Sequence, residues 1–455
     1  MVLVLGVLGV SFRGPILVAA GLDVQGGSPT ISPTLFAPPP APTAEPEAGL
    51  PGAVQRVSDG FAPDRQALEA RVAALDTSLL VGHEDGPVML AYEVIDVSSG
   101  DVVGASNPDA LLIPASNTKT LTAAAVMNVF DGDETFATTV VQPTPGQIVL
   151  VGGGDGQLVS VMPDPASYPC NASTQELARA TAAALKEEGQ TQVSLGYDAS
   201  LFEDQGWAAS WPPNYRDQVT QLSALWVDEG RIDGARSRTA ALDTARVFAA
   251  QLAAEGITVT GEPLPAEGVG QEVARVESTP VHVQVEQAMQ RSNNSFTEVL
   301  GFQLALATGH PATFEGSVAA IQEQLVSLGI WSDGAVLHDA SGLSRQNLVT
   351  AEMLTQAMAH IVAEPRLSVV LDGLPVAGVT GTLATRFDDD ISRPARGVAR
   401  AKTGTLSFVS TLSGTTTTSD GAVLAYAFMV NGVPNGWAAR VWTDQAVGAI
   451  SACGC

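Results

Sequence analysis

Residues 111–130 read LLIPASNTKTLTAAAVMNVF, and the reading of the fold turns on this stretch. An apolar run ending in Pro114 and Ala115 leads into a segment rich in Thr, Ala and Val with Leu121 and Met127, the composition of a buried helix over about 116–130. Ser116 therefore stands where a helix begins. Lys119 lies one turn further on and on the same face, because residues three apart on a helix are neighbours. Taken alone, the pattern is equally that of a capping serine followed by an exposed lysine.

Working outward, 67–75 suits a short helix, 88–97 runs apolar as a strand, and Ser98-Ser99-Gly100-Asp101 turns it into a second strand through 105. Downstream, 135–277 mixes strands such as 147–151 with helices such as 175–188 and 239–255, and reads as an inserted α/β region. Within it, Gly152-Gly153-Gly154-Asp155-Gly156 lacks the Lys-Ser/Thr of a phosphate loop, and Asp155 would repel phosphate, so a tight strand-end turn is expected. A helical pattern returns over 281–307. The chain closes with strands near 398–405, 408–415 and 423–430 and a helix over 437–450.

Charge and termini narrow the function classes. The net charge of −26, from 48 acidic and 22 basic residues, repels phosphate backbones and anionic headgroups, so nucleic acid is not an expected partner. Residues 1–22 are apolar apart from Arg13 and Asp23 just beyond them, and read as an export signal or a membrane anchor, with Val18-Ala19-Ala20 as a small-residue cleavage site; a buried helix is the alternative. Residues 23–65 form a Pro-rich linker, so membrane contact is expected only through the N-terminal segment. Cys170, Cys453 and Cys455 make neither a disulfide framework nor a zinc site, and a bridge between Cys453 and Cys455 is expected to be strained. No metal or organic cofactor is implied.

The 455-residue chain holds only three lysines, Lys119, Lys186 and Lys402, and two of them sit in motifs that suit catalysis. With this composition chance supplies about 0.2 Ser-x-x-Lys and about 0.03 Lys-Thr-Gly, so their co-occurrence is informative. A serine hydroxyl needs a base to attack at neutral pH; a Lys119 that is desolvated and close to Lys402 would have a lowered pKa and accept the Ser116 proton. Ser292-Asn293-Asn294 offers a hydroxyl to relay a proton and an amide to hold a substrate backbone. Lys402-Thr403-Gly404-Thr405 is expected on a strand, presenting a cation and two hydroxyls to a carboxylate, with Gly404 letting a ligand backbone approach.

The order Ser-x-x-Lys, Ser-x-Asn, Lys-Thr-Gly resembles the penicillin-recognising serine enzymes. Within them the chain resembles the low-molecular-mass class C penicillin-binding proteins, the D-alanyl-D-alanine carboxypeptidase/endopeptidase family. The long stretch between Lys119 and Ser292 carries the narrower likeness, with Asp339-Ala340-Ser341-Gly342-Leu343-Ser344-Arg345 and Leu374-Pro375-Val376-Ala377-Gly378 followed by Gly381-Thr382-Leu383.

That resemblance implies an α/β (α+β) transpeptidase-like body from 66–134 and 278–455, an antiparallel sheet between helices, and an insertion over 135–277. It implies Ser116 as nucleophile, Lys119 as base, Ser292 as proton relay, Asn294 as substrate-amide contact, Lys402 as electrostatic partner, and Thr403 with Thr405 as carboxylate contacts. The N–H groups of Ser116 and Thr405 would form the oxyanion hole. Trp211-Pro212-Pro213-Asn214-Tyr215 resembles a segment lining the substrate entrance. The implied partners are peptidoglycan peptides ending in D-Ala-D-Ala, with β-lactam antibiotics as acylating inhibitors, and the implied location is the cell envelope. A serine β-lactamase and a non-catalytic wall scaffold of the same fold remain the alternatives.

Overall fold

The structure, a computed structural model, describes residues 61–83, 86–203 and 206–455. The proposed export segment and nearly all of the linker lie outside them. Among the described residues no helix is long and apolar enough to cross a membrane.

A five-stranded antiparallel sheet runs in the order β11 (Arg400–Leu406), β12 (Val409–Thr417), β13 (Val423–Asn431), β1 (Met89–Asp96) and β2 (Val102–Ser106). Its two faces are written in the alternation of β13, as the two-residue period of a strand requires. Leu424, Tyr426, Phe428 and Val430 face a core with Leu68 and Val72 of α1 (Arg65–Ala73) and with Trp442, Val447 and Ile450 of the C-terminal helix Gly436–Ser451. Ala425, Ala427 and Met429 face the opposite core, where their small side chains admit a helical layer. That layer contains α2 (Thr118–Val129), which is buried over most of its circumference, its Leu, Ala, Val and Met side chains interleaved with buried Thr118, Lys119, Thr120 and Thr122.

A second, six-stranded mixed sheet comes wholly from residues 137–277. It joins β10 (Gln271–Glu277), β3 (Ala137–Thr144), β4 (Gln147–Val151), β5 (Gln192–Asp198) and β8 (Thr258–Val259), with β9 (Leu264–Pro265) also beside β5. The strands pack against α3 (Thr174–Glu187) and α4 (Ala240–Ala254) through Leu177, Leu185, Phe248 and Leu252. A two-stranded ribbon, β6 (Arg231–Ile232) and β7 (Ala235–Arg236), projects from the same segment. The glycine run after β4 is irregular and not the tight turn expected, and it is held by distant segments: Gly152 N–H donates to Asp198 O and Gly154 N–H to Ala224 O.

Two sequence expectations need correction. The helical pattern over 281–307 is two helices, α5 (Val281–Arg291) and α6 (Asn294–Ala307), because Ser292 turns left-handed (φ 51°, ψ 39°) and the Asn293 side chain caps α6 by accepting from Phe296 N–H. The helix expected from Ser116 begins as an α-helix only at Thr118, and Ser116 sits in the 3-10 turn Ala115–Asn117 before it. Cys453 and Cys455 are joined as a disulfide, while Cys170 is free and exposed. The remaining helices are α7 (Phe314–Ser327), α8 (Ala351–Ala363), α9 (Ser368–Asp372) and α10, the C-terminal helix.

Candidate active site

The Ser116 turn is pinned to the sheet from below. Buried Asn117 donates from Nδ2 to Thr411 Oγ1 (2.6 Å) and accepts at Oδ1 from Ser413 Oγ (2.6 Å), and Thr411 Oγ1 donates to Pro114 O (2.7 Å). A Cβ on Gly404 would lie 2.1 Å from Thr411 Oγ1 and 2.6 Å from Pro114 O. The glycine of Lys-Thr-Gly thus lets the serine turn pack closely on edge strand β11. Half-buried Ser116 is left facing outward from a rigid base.

Lys119 is fully buried and its Nζ has three acceptors: Ser116 Oγ at 3.2 Å, Asn294 Oδ1 at 2.7 Å and Ser341 O at 2.6 Å. Of these only Ser116 carries a proton of its own to give. When the amine is neutral, two N–H bonds stay on Asn294 and Ser341 and the lone pair falls to the serine. Burial pushes the Lys119 pKa down to about 8 against the opposing charges of Asp339 and Glu298. Lys402, also fully buried, donates to Ser292 Oγ (2.7 Å) and Thr403 O (3.0 Å). Its pKa is held well below the ordinary lysine value, first by burial and then by the Lys119 charge. The repulsion between the two lysines therefore acts on Lys402; for Lys119, burial does the work that the sequence reading had assigned partly to its neighbour.

Ser116, Lys119 and Asn294 thus form one hydrogen-bonded group and Ser292 with Lys402 a second, close enough that the Lys119 charge acts on Lys402. Thr403 and Thr405 lie beside it on β11, Thr405 exposed and Thr403 with its Oγ1 3.1 Å from Thr382 Oγ1. Trp211 does not line the opening. It is buried and donates its indole N–H to Asp339 Oδ2 at 2.6 Å, stacked edge-on to Phe314. Tyr215 is half-buried beside the same apolar cluster.

The contacts of several supporting residues could not be read from the sequence. Buried Asp339 gathers Trp211 Nε1, Gly342 N–H (2.9 Å), Ser344 N–H and Asn347 Nδ2 (2.7 Å), tying the 339–347 turn into a fixed shape. Buried Glu298 accepts from Ala340 N–H (3.1 Å) and Ser341 N–H (2.8 Å), and so aims the Ser341 carbonyl that orients Lys119. Burial and the adjacent Asp339 charge push Glu298 up to about 8. The one available signal for it was its place four residues after Asn294, on the same face of α6. Among the described residues, no group of three or more His, Cys, Asp and Glu is arranged to hold a metal.

Comparison with known proteins gives a family and several relatives. The D-Ala-D-Ala carboxypeptidase 3 (S13) family matches residues 73–235 and 233–451. A carboxypeptidase DacB of Mycolicibacterium smegmatis is 33% identical over 436 residues, covering 92% of this chain and 90% of that protein. A D-alanyl-D-alanine carboxypeptidase of an Actinomadura species is 27% identical over 447 residues, covering 79% of this chain and 80% of its own. The crystal structure of penicillin-binding protein 4 of Haemophilus influenzae has a similar fold, with a TM-score of 0.68 at 20% identity over 84% of this chain and 98% of that one.

Proposed function

The chain belongs to the D-Ala-D-Ala carboxypeptidase 3 (S13) family, and from that premise we propose that Ser116 is the nucleophile with which it opens D-alanyl-D-alanine peptides of peptidoglycan. It is a serine hydrolase of the penicillin-binding type. The observation that carries the assignment is the buried Lys119 amine, whose one proton-bearing partner is Ser116 Oγ at 3.2 Å.

In the reaction Ser116 Oγ attacks the carbonyl carbon of the penultimate D-Ala while its proton passes to Lys119. The N–H groups of Ser116 and Thr405 hold the oxyanion, aided by the N-terminal dipole of α2. As the C–N bond breaks, the leaving D-Ala nitrogen takes a proton through Ser292, whose hydroxyl is 2.7 Å from Lys402 Nζ. Asn294 contacts the substrate amide, Lys402 provides the positive field, and Thr403 with Thr405 receive the terminal carboxylate. Water then hydrolyses the acyl-Ser116 ester and restores the serine.

A β-lactam presents an analogous acyl group with its leaving amine tethered in place, so it acylates Ser116 and departs slowly. The wall substrate sets the site of action outside the cytoplasm. We further infer that residues 1–22 export or anchor the protein and that 135–277 is a separate insertion flanking the cleft. The test is to incubate the full chain, wild type and Ser116→Ala, with a fluorescent penicillin and locate the adduct by mass spectrometry. A lasting adduct on Ser116 that is missing from the variant is expected; rapid drug turnover without an adduct, or no reaction in folded protein, refutes the assignment.

A further inference from the structure

Asp228, Glu229 and Gly230 are three consecutive left-handed residues (φ 53°, 60° and 65°), two of them with side chains that disfavour this region. The turn they make carries the Glu229 carboxylate from the 135–277 segment onto the loop between α5 and α6. There Oε1 accepts from Arg291 Nη2, and Oε2 accepts from Asn293 Nδ2 at 3.0 Å. One carboxylate therefore holds both neighbours of Ser292, which is itself left-handed. The Arg291 guanidinium is also steadied over the Phe296 ring, 5.2 Å from its centroid.

The Asn293 amide is used at both ends. Its Oδ1 accepts from Phe296 N–H at the start of α6 (3.2 Å), and its Nδ2 faces Glu229. A carboxylate at 293 would keep the helix cap but turn an oxygen toward the Glu229 oxygens, replacing attraction with repulsion. The same segment fastens the next two residues: Asn294 Nδ2 donates to Gln218 O (3.0 Å), and Ser295 Oγ accepts from Thr220 N–H (3.0 Å). Three successive side chains, from Asn293 of the loop into the first turn of α6, are thus held from 218–229.

We propose that Glu229 is a positioning residue for Ser292. By clamping Arg291 and Asn293 it fixes the strained turn that presents Ser292 Oγ to Lys402, and it requires an amide at 293. This rests on the assignment of Ser292 as proton relay in acylation of Ser116.

The experiment uses the full chain as wild type, Ser116→Ala, Glu229→Ala, Asn293→Asp and the double variant Glu229→Gln/Asn293→Asp. It reads the second-order rate of fluorescent-penicillin acylation beside the melting temperature. Glu229→Ala and Asn293→Asp are each expected to slow acylation at least tenfold. The double variant is expected to recover most of the Asn293→Asp loss, because an amide at 229 donates to a carboxylate at 293. A merely structural role would move the melting temperature and not produce this recovery. Glu229→Ala acylating within twofold of wild type, or a double variant no faster than Asn293→Asp alone, overturns the clamp while leaving the functional reading intact. Wild type unlabelled at Ser116 overturns the functional reading itself. If Glu229→Ala fails to fold, the comparison of Asn293→Asp with the double variant still decides.

Discussion

The pH dependence of acylation is the sharpest consequence of burying Lys119. The general base acts only when neutral, so the rate follows the neutral fraction and rises with pH. With a pKa of about 8, roughly one Lys119 in ten is neutral at pH 7, against about one in 3,000 at the ordinary lysine value. Burial therefore supplies on the order of 300-fold more active base at neutrality. Between pH 6 and pH 9 the second-order acylation rate should climb about 90-fold and level off above pH 8, whereas an ordinary lysine would give a climb of about 1,000-fold with no plateau. Stopped-flow fluorescence with a penicillin, whose own carboxylate stays ionised throughout, measures the profile. Lys119→Arg, charged at every accessible pH, should lose about 100- to 10,000-fold and the pH dependence with it. A flat wild-type profile over this range, or one still rising nearly tenfold per pH unit at pH 9, refutes the argument that a buried Lys119 is the base.

Gly404→Ala should cut acylation at least tenfold while the chain stays folded, because the new Cβ meets Pro114 O and Thr411 Oγ1 and pushes the Ser116 turn off β11; parallel acylation rates and melting curves check it. Asp444→Asn leaves the guanidinium of Arg386, paired with Asp444 at 2.6 Å in a buried site, without its counter-charge, and should cost about 3–5 kcal/mol in urea unfolding. Glu93 in β1 is buried with Oε2 unpartnered, and burial raises its pKa from 4.5 to about 7. Over that interval the folded state holds a proton that the unfolded chain has released, so its contribution to stability falls as pH rises. Glu93→Gln removes this loss, and its stability relative to wild type should improve by about 1–3 kcal/mol between pH 5 and pH 8 in urea titrations.

Much of the molecule was legible from short-range pattern. The alternation of β13, the Ala- and Val-rich α2, the strand over 147–151 and the helix over 239–255 are each written within a few neighbouring residues, where helical and strand periods act. Rare lysines in Ser-x-x-Lys and Lys-Thr-Gly likewise pointed to Ser116, Lys119 and Lys402. The break at Ser292 was missed because apolar periodicity runs across it on both sides, and only the Asn293 cap, with Glu229 beyond it, decides the turn.

What makes Ser116 reactive was decided in three dimensions. Lys119 meets Asn294 and Ser341 from 175 and 222 residues away in the chain, and no local spacing encodes those bonds. Trp211 was legible as a feature of the insertion, yet whether its indole faces substrate or braces Asp339 depends on which surface the insertion packs against. Gly404 announced close approach, but not that the approaching atom belongs to Pro114. The sequence picked out the groups proposed to carry the chemistry, because residue type and local period are short-range properties. Only the tertiary structure determined their protonation and aim, because desolvation and hydrogen-bond geometry come from segments that meet solely in the folded chain.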